Sequence, residues 1–222
     1  MLDKLREINK DIKIYSIHDD EFKKYGKVID FDSSQFVKTC KEMKYPESGS
    51  YYQPSVEELE KLPSGKKLRQ ILFGGLDTQF GICHGYNDTM NGLEYHKCSE
   101  INIAVTPVVL ILGLTFDMNG DEYDSSKVEA FYLEEGDTIE MFATTLHYCP
   151  CQVSDKGFSS VVLLPKNTNT PLEEKNDDKL VVMKNKWLIC HEESESDVKS
   201  GVYPGIHGVN YKISYNSQNI KE

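Results

Sequence analysis

The sequence predicts a mainly β chain, an antiparallel barrel or sandwich, on three observations. From Lys67 onward short apolar runs follow one another: KLRQILFGG, TQFGICHGY, GLEYHKCSEINIAV, VVLILGL, KVEAFYL, DTIEMFATTLHYCPCQV, FSSVVLLP and KLVVMKNKWLIC. Clusters of Gly, Asn, Asp and Pro separate them, as turns separate the strands of sandwiches and barrels. No helical period of comparable length interrupts them, which argues against a parallel βαβ sheet and the nucleotide-binding folds built on one.

Residues 1–66 have a different texture. LDKLREI, DDEFKKY, SSQFVKTCKEM and SVEELEKL carry helical patterns, and KIYSI reads as a brief strand. SVEELEKL follows a Pro and sets Ser55 three positions before Glu58, a capping-box arrangement. Residues 67–172 form the expected barrel core. Residues 173–222 form a C-terminal extension expected to pack on it, with Trp187, the sole tryptophan, as anchor. The whole is expected to be a single domain over 1–222, since a chain of this length can bury a core without covalent staples.

Between the runs, DMNGDEYD alternates acidic residues like a calcium loop, but its Gly stands in the wrong place and Val128 occupies the final ligand position. A tight Asn119-Gly120 turn is the better reading. EEKNDD (173–178) and EESESD (192–197) read as solvated loops.

Thirty-six acidic residues against twenty-five basic ones give a net charge of −11, which repels nucleic acid and anionic membranes. No stretch has the apolar length of a membrane span, and the first residues lack the apolar centre of a signal peptide, so a cytoplasmic location is expected. The six cysteines are then expected to be free thiols. Exposed edge strands of an antiparallel barrel would be covered in a homodimer.

The chemistry centres on GLEYHKCSE. In a strand, residues of one parity share a face, so Glu94, His96, Cys98, Glu100 and Asn102 would line one side and Ile101, Ile103 and Val105 the other. That pattern alone is also the pattern of a solvated sheet face. Downstream, Gly136 is followed eleven residues later by His147. The two segments resemble, in spacing, the two motifs of the cupin superfamily. In the first, Glu94 stands where the leading His would be, His96 matches the second His and Glu100 the Glu, while Asp88 and Pro107 replace the flanking glycines. In the second, Gly136 and His147 match, while Phe142, Thr144 and Cys151 replace the Pro, Gly and Asn. The motifs cover roughly residues 67–165. The whole chain also resembles a bacterial cupin family of about this length described as a domain of unknown function.

The resemblance implies a cupin double-stranded β-helix, a jelly-roll barrel, with a divalent metal held by His96, His147, Glu100 and Glu94. Two imidazoles and one or two carboxylates suit Zn, Mn, Fe or Ni. Two buried carboxylates without a cation would force one towards its protonated form, and a metal removes that conflict. Glu94 is either a ligand or a base. His84, in the run before the first motif, is a second candidate base or else a structural histidine. His147, Cys149 and Cys151 share parity and could form a softer zinc site. Lys97 would point away, His18 would be exposed, and His191 and His207 lie in a wrapping tail.

The functional expectation is a metal-dependent isomerase or epimerase of a sugar, sugar acid or sugar phosphate, working through an enediolate with Glu94 or His84 as base. A non-haem iron dioxygenase using two His and one carboxylate is the alternative. A cupin that binds a metal or small metabolite without catalysis is the third.

Overall fold

The structure, a computed structural model, describes residues 1–174 and 177–216; Lys175 and Asn176, part of the expected 173–178 loop, lie outside them. Before the barrel come α1 (Leu2–Ile8), β1 (Ile14–Ser16), a 3-10 turn (Asp20–Lys24), β2 (Gly26–Val28), α2 (Ser34–Lys41), β3 (Ser50–Gln53), α3 (Glu57–Glu60) and α4 (Pro63–Phe73). The barrel strands are β4 (Thr78–Gly85), β5 (Gly92–Tyr95), β6 (Glu100–Ala104), β7 (Val108–Leu114), β8 (Tyr123–Asp124), β9 (Glu129–Leu133), β10 (Thr138–Met141), β11 (Thr145–Leu146), β12 (Cys151–Gln152) and β13 (Phe158–Pro165). The extension supplies β14 (Val181–Met183), β15 (Lys186–His191), α5 (Glu195–Lys199) and β16 (Tyr203–His207).

One sheet runs β2-β10-β6-β13-β4-β3 and the facing one β1-β9-β7-β11, with β12 also on β7. The last barrel strand, β13, thus lies between the first, β4, and β6, while β5 bridges to the segment after β11 through Glu94 and His147. That order is a double-sheet jelly roll, as the cupin resemblance implies. A third sheet, β14-β15-β16-β8 with β5 on β15, is built largely by the C-terminal extension.

Both faces of the barrel sheets are covered, which explains why VVLILGL is apolar throughout rather than alternating. Val108, Leu110 and Leu112 pack between the sheets with Phe22, Tyr25, Phe131 and Ile139. Val109 and Ile111, of opposite parity, pack outward against Leu5, Leu93, Ile189 and Ile206. On the far side, Phe36, Leu59 and Leu68 from the helices bury Phe80, Ile101, Val161 and Leu163. Each such side chain contributes on the order of 1.5–3 kcal/mol of burial, so the helices before the barrel and the extension after it cover apolar faces of the barrel sheets.

Four local expectations are corrected. KLRQILFGG is not a strand: Pro63 begins α4, its fixed φ suiting a first helical turn, and Gly74 at φ 56° ends it. Gly65 allows the helix onto β4, since a Cβ there would stand 2.7 Å from the Phe80 ring. The capping box does not form, because Ser55 takes φ 51° and turns its hydroxyl to Gln79, leaving Val56 at the N-cap of α3. EESESD ends in α5 rather than remaining loop throughout. GLEYHKCSEINIAV, written as one face, is two strands with a bend at residues 96–99. Asn119 and Gly120 do form the tight turn, with Asn119 and Glu122 exchanging backbone hydrogen bonds and Gly120 at φ 63°.

Candidate metal centre

Glu94 and His147 meet first through their backbones: each amide donates to the other's carbonyl, at 2.6 and 2.9 Å. Residues paired this way share a face with their side chains adjacent, so two groups far apart in sequence become neighbours. The bend after Tyr95 turns His96 towards the same point, and the start of β6 brings Glu100. His96 Nε2 lies 3.2 Å and His147 Nε2 3.4 Å from Glu100 Oε2, and both lie 3.8 Å from Glu94 Oε1. All four residues are buried.

This arrangement passes the test for a metal centre. Donors bound at about 2.0–2.2 Å around one ion lie roughly 3–3.5 Å apart, which is near the observed spacings. Both Nε2 atoms are buried without a hydrogen-bond partner among the described residues. Each Nδ1 faces a backbone carbonyl, Asn185 O at 2.6 Å for His96 and Thr145 O at 3.2 Å for His147. A carbonyl only accepts, so Nδ1 carries the proton and Nε2 offers its lone pair to the centre. Glu94, His96 and His147 each present a ligand atom within 4.8 Å of the others.

The supporting groups are specific. Asn102 Nδ2 donates to Glu100 Oε1 at 2.7 Å, leaving Oε2 for the imidazoles, and the Ser160 hydroxyl donates to Asn102 Oδ1 at 3.2 Å. Asn185, at φ 56° in the β14–β15 turn, also accepts from the Lys97 amide at 2.9 Å and donates to Thr168 Oγ1 at 3.0 Å. The C-terminal extension therefore fixes the bend that carries His96.

Electrostatics agree. Burial opposes a charge on either group, yet the His147 and His96 imidazoles hold the Glu100 carboxyl well below the usual carboxylate range. Burial likewise lowers His147, but Glu100 and Glu94 outweigh it and raise it to about 9. Without a cation the centre thus takes up a proton, the response expected of carboxylates that need a positive charge between them.

The four expected ligands are brought together; His84 is not among them. Its neighbour on β4, Cys83, lines the cavity over the centre, while His84 is buried on the opposite face with its ring 4.7 Å from that of Tyr51 and 5.1 Å from that of Tyr45. The softer Cys site does not assemble: among the described residues the grouped donors are Glu94, His96 and His147, while Cys149 contacts Ser50 and Cys151 lies by Asn87. All six cysteines are free. Lys97 points outward over the stacked Tyr95 and Trp187 rings. His18 is exposed, His191 is held by Gly208 O at 3.1 Å, and His207 pairs with Glu122.

The cavity has a volume of about 160 Å³. Three of its groups escaped sequence reasoning. Lys186 forms an ion pair with Glu94, and among the described residues the buried Tyr52 hydroxyl and Asn169 Oδ1 have no hydrogen-bond partner. Lys186 left a trace: it shares strand parity with the buried Leu188 and Cys190, where a solvated lysine does not belong. Among the described residues no helix is long and apolar enough to cross a membrane.

The chain is similar to several solved structures. An oxalate decarboxylase of Bacillus subtilis matches at 11% identity over 57% of this chain and 29% of that one, TM-score 0.34. Hazelnut (Corylus avellana) vicilin matches at 11% identity over 72% and 40%, TM-score 0.33. A salicylate 1,2-dioxygenase variant from Pseudoaminobacter salicylatoxidans matches at 10% identity over 60% and 30%, TM-score 0.30. This chain thus spans less than half the length of each, and likenesses so distant transfer no activity. No curated protein matches. A family model does match, over residues 14–211, and the chain belongs to that family, described as a domain of unknown function, DUF4867.

Proposed function

We propose that this protein is a metal-dependent enzyme that shifts a proton between neighbouring carbons of a small hydroxy-carbonyl compound, as isomerases and epimerases of sugars, sugar acids and sugar phosphates do. The observation that carries the reading is the unequal placement of the two carboxylates. Glu100 is tied by Asn102 and faces both imidazoles, as a ligand does. Glu94 stands beside the same imidazoles but pairs with Lys186 instead of an amide, while both carboxylates line the cavity.

His96, His147 and Glu100 would hold the ion, with Glu94 as a further ligand or as the base. A divalent ion bound there supplies Lewis-acid polarisation of a carbonyl oxygen, which acidifies the adjacent C–H. Glu94 accepts that proton at its carboxylate and returns it to the neighbouring carbon on the same face, while the hydroxyl proton passes to the former carbonyl oxygen. Lys186 keeps Glu94 oriented between turnovers. The Tyr52 hydroxyl donates to a substrate oxygen, and Tyr148 and Val162 wall the cavity against water.

Solvent deuterium incorporation into sugars, sugar acids and sugar phosphates, followed by NMR with Mn- or Zn-loaded protein, tests the reading. Exchange into at least one compound, abolished in Glu94→Gln with the metal retained, is expected. No exchange across the set overturns it. Because Lys186 draws on Glu94, the centre can also be read as two His and one carboxylate, the arrangement of non-haem iron oxygenases. Fe(II)-dependent oxygen uptake would establish that alternative.

A further inference from the structure

The cavity wall carries three ionisable groups of fixed sign, Glu94, Glu100 and Lys186. With the metal centre formed, the two positive charges of a divalent ion are cancelled by the two carboxylates, and both imidazoles are neutral because their Nε2 lone pairs are donated. The site as a whole then carries one net positive charge, and with Glu94 on the ion that charge is the Lys186 ammonium, parted from the carboxylate it pairs with in the structure. Lys186 is only 16% exposed, so water cannot fully solvate that charge, and a buried cation without a counterion is costly. Among the described residues its further contact is the Tyr148 ring, 5.5 Å from Nζ.

Two more buried atoms on the wall lack partners among the described residues and define what accompanies that anion. Asn169 Oδ1 can only accept, and it needs a hydroxyl or amine proton. The Tyr52 hydroxyl can donate, and it needs an oxygen.

We infer that Lys186 is the anion-recognition residue of this cavity and that the substrate is a small hydroxy-monocarboxylate, a compound of the sugar-acid class. Its carboxylate pairs with Lys186, one hydroxyl donates to Asn169, and an oxygen accepts from Tyr52. A neutral sugar leaves the ammonium unpaired, and a phosphate dianion exceeds the available charge by one. The inference rests on the metal-centre reading and narrows its substrate.

The test uses Mn-loaded protein and three matched probe classes: glycerate and gluconate, the neutral glycerol and glucitol, and the phosphates glycerol 3-phosphate and glucitol 6-phosphate. Calorimetric titration of wild type, Lys186→Met and Lys186→Arg is paired with metal analysis and a melt of each. At least one carboxylate is expected to bind wild type at least about tenfold more tightly than its neutral and phosphate counterparts. Lys186→Met should lose about tenfold or more of that affinity with metal content unchanged, and Lys186→Arg should keep most of it. Carboxylate affinity unchanged in metal-bearing Lys186→Met, a preference for the phosphates, or no carboxylate binding overturns this inference and leaves the metal centre standing. Wild-type protein that takes up no metal overturns both.

Discussion

Two buried histidine environments lie on either side of β4, and they differ in one respect that decides their chemistry. On one side His84 sits between Tyr45 and Tyr51, and neither ring nitrogen has a hydrogen-bond partner among the described residues. On the other, His96 and His147 also leave Nε2 unpartnered, but two carboxylates stand within 3.2–3.8 Å. Burial lowers the proton affinity of His84, with nothing to oppose it. Burial also acts on His147, yet Glu100 and Glu94 raise it to about 9. An orphaned imidazole therefore does not make a site; an orphaned imidazole facing carboxylates does.

The largest expected effect breaks the comparison directly. His147→Ala and His96→Ala should each lower metal affinity by more than about 100-fold, since even outer partners of metal ligands are worth about 10–100-fold. Elemental analysis after dialysis checks it, and metal content unchanged in both variants would falsify the centre. Next comes Asn102→Leu, which frees Glu100 Oε1 from its hydrogen bond and removes the acceptor of Ser160. A loss of about 10–100-fold in metal affinity is expected, read by competition with a chelating dye.

The pH dependence of the metal-free protein sharpens the contrast further. The folded pKa of His147 is raised above its unfolded value, so its contribution is complete below about 6.5 and is lost as pH rises through about 9. The carboxyl of Glu100 is lowered, so its contribution is present above its unfolded value of about 4.3 and is lost as pH falls through the folded pKa. The melting temperature should accordingly decline on the alkaline side, and metal loading should abolish most of that decline. Metal binding at pH 7 should release about one proton from His147, visible as a buffer-dependent calorimetric heat. No proton release would show that His147 is already neutral.

Much of this was legible in the sequence, and the misses have physical causes. The spacing of Glu94, His96, Glu100 and His147 survives into the structure, although the reason given for it does not wholly. A straight strand would put residues of one parity on one face, whereas the chain bends after Tyr95 and Glu100 begins a new strand. The group forms because Asn185 pins the bend and because Glu94 and His147 pair by backbone. Asn185 and Lys186 come from the extension, and no local pattern announces which distant segment a strand will join. KLRQILF was misread because its apolar positions fit a short strand as well as one face of a helix. Pro63 before it and the paired glycines after it were the deciding signals. His84 stayed open between base and structural histidine because strand parity inside TQFGICHGY fixes which residues share a face but not which face turns inward.

The smallest expected effect belongs to that residue. Replacing His84 by Phe keeps an aromatic ring between Tyr45 and Tyr51 and removes two nitrogens that make no hydrogen bond there. Relief of the unmet polar groups, about 1–3 kcal/mol, opposes an overpacking cost of similar size, so the net change in stability at pH 7 is expected to be within about 1 kcal/mol. For a chain of this length that is roughly 2–4 °C in melting temperature. The sign appears with pH. The folded state resists protonating His84 while the unfolded state does not, so the wild type loses stability as pH falls below about 6.5 and the variant should lose less. Metal content should be unchanged. A variant that keeps its fold but loses its metal would place His84 within the centre and erase the distinction between the two faces of β4.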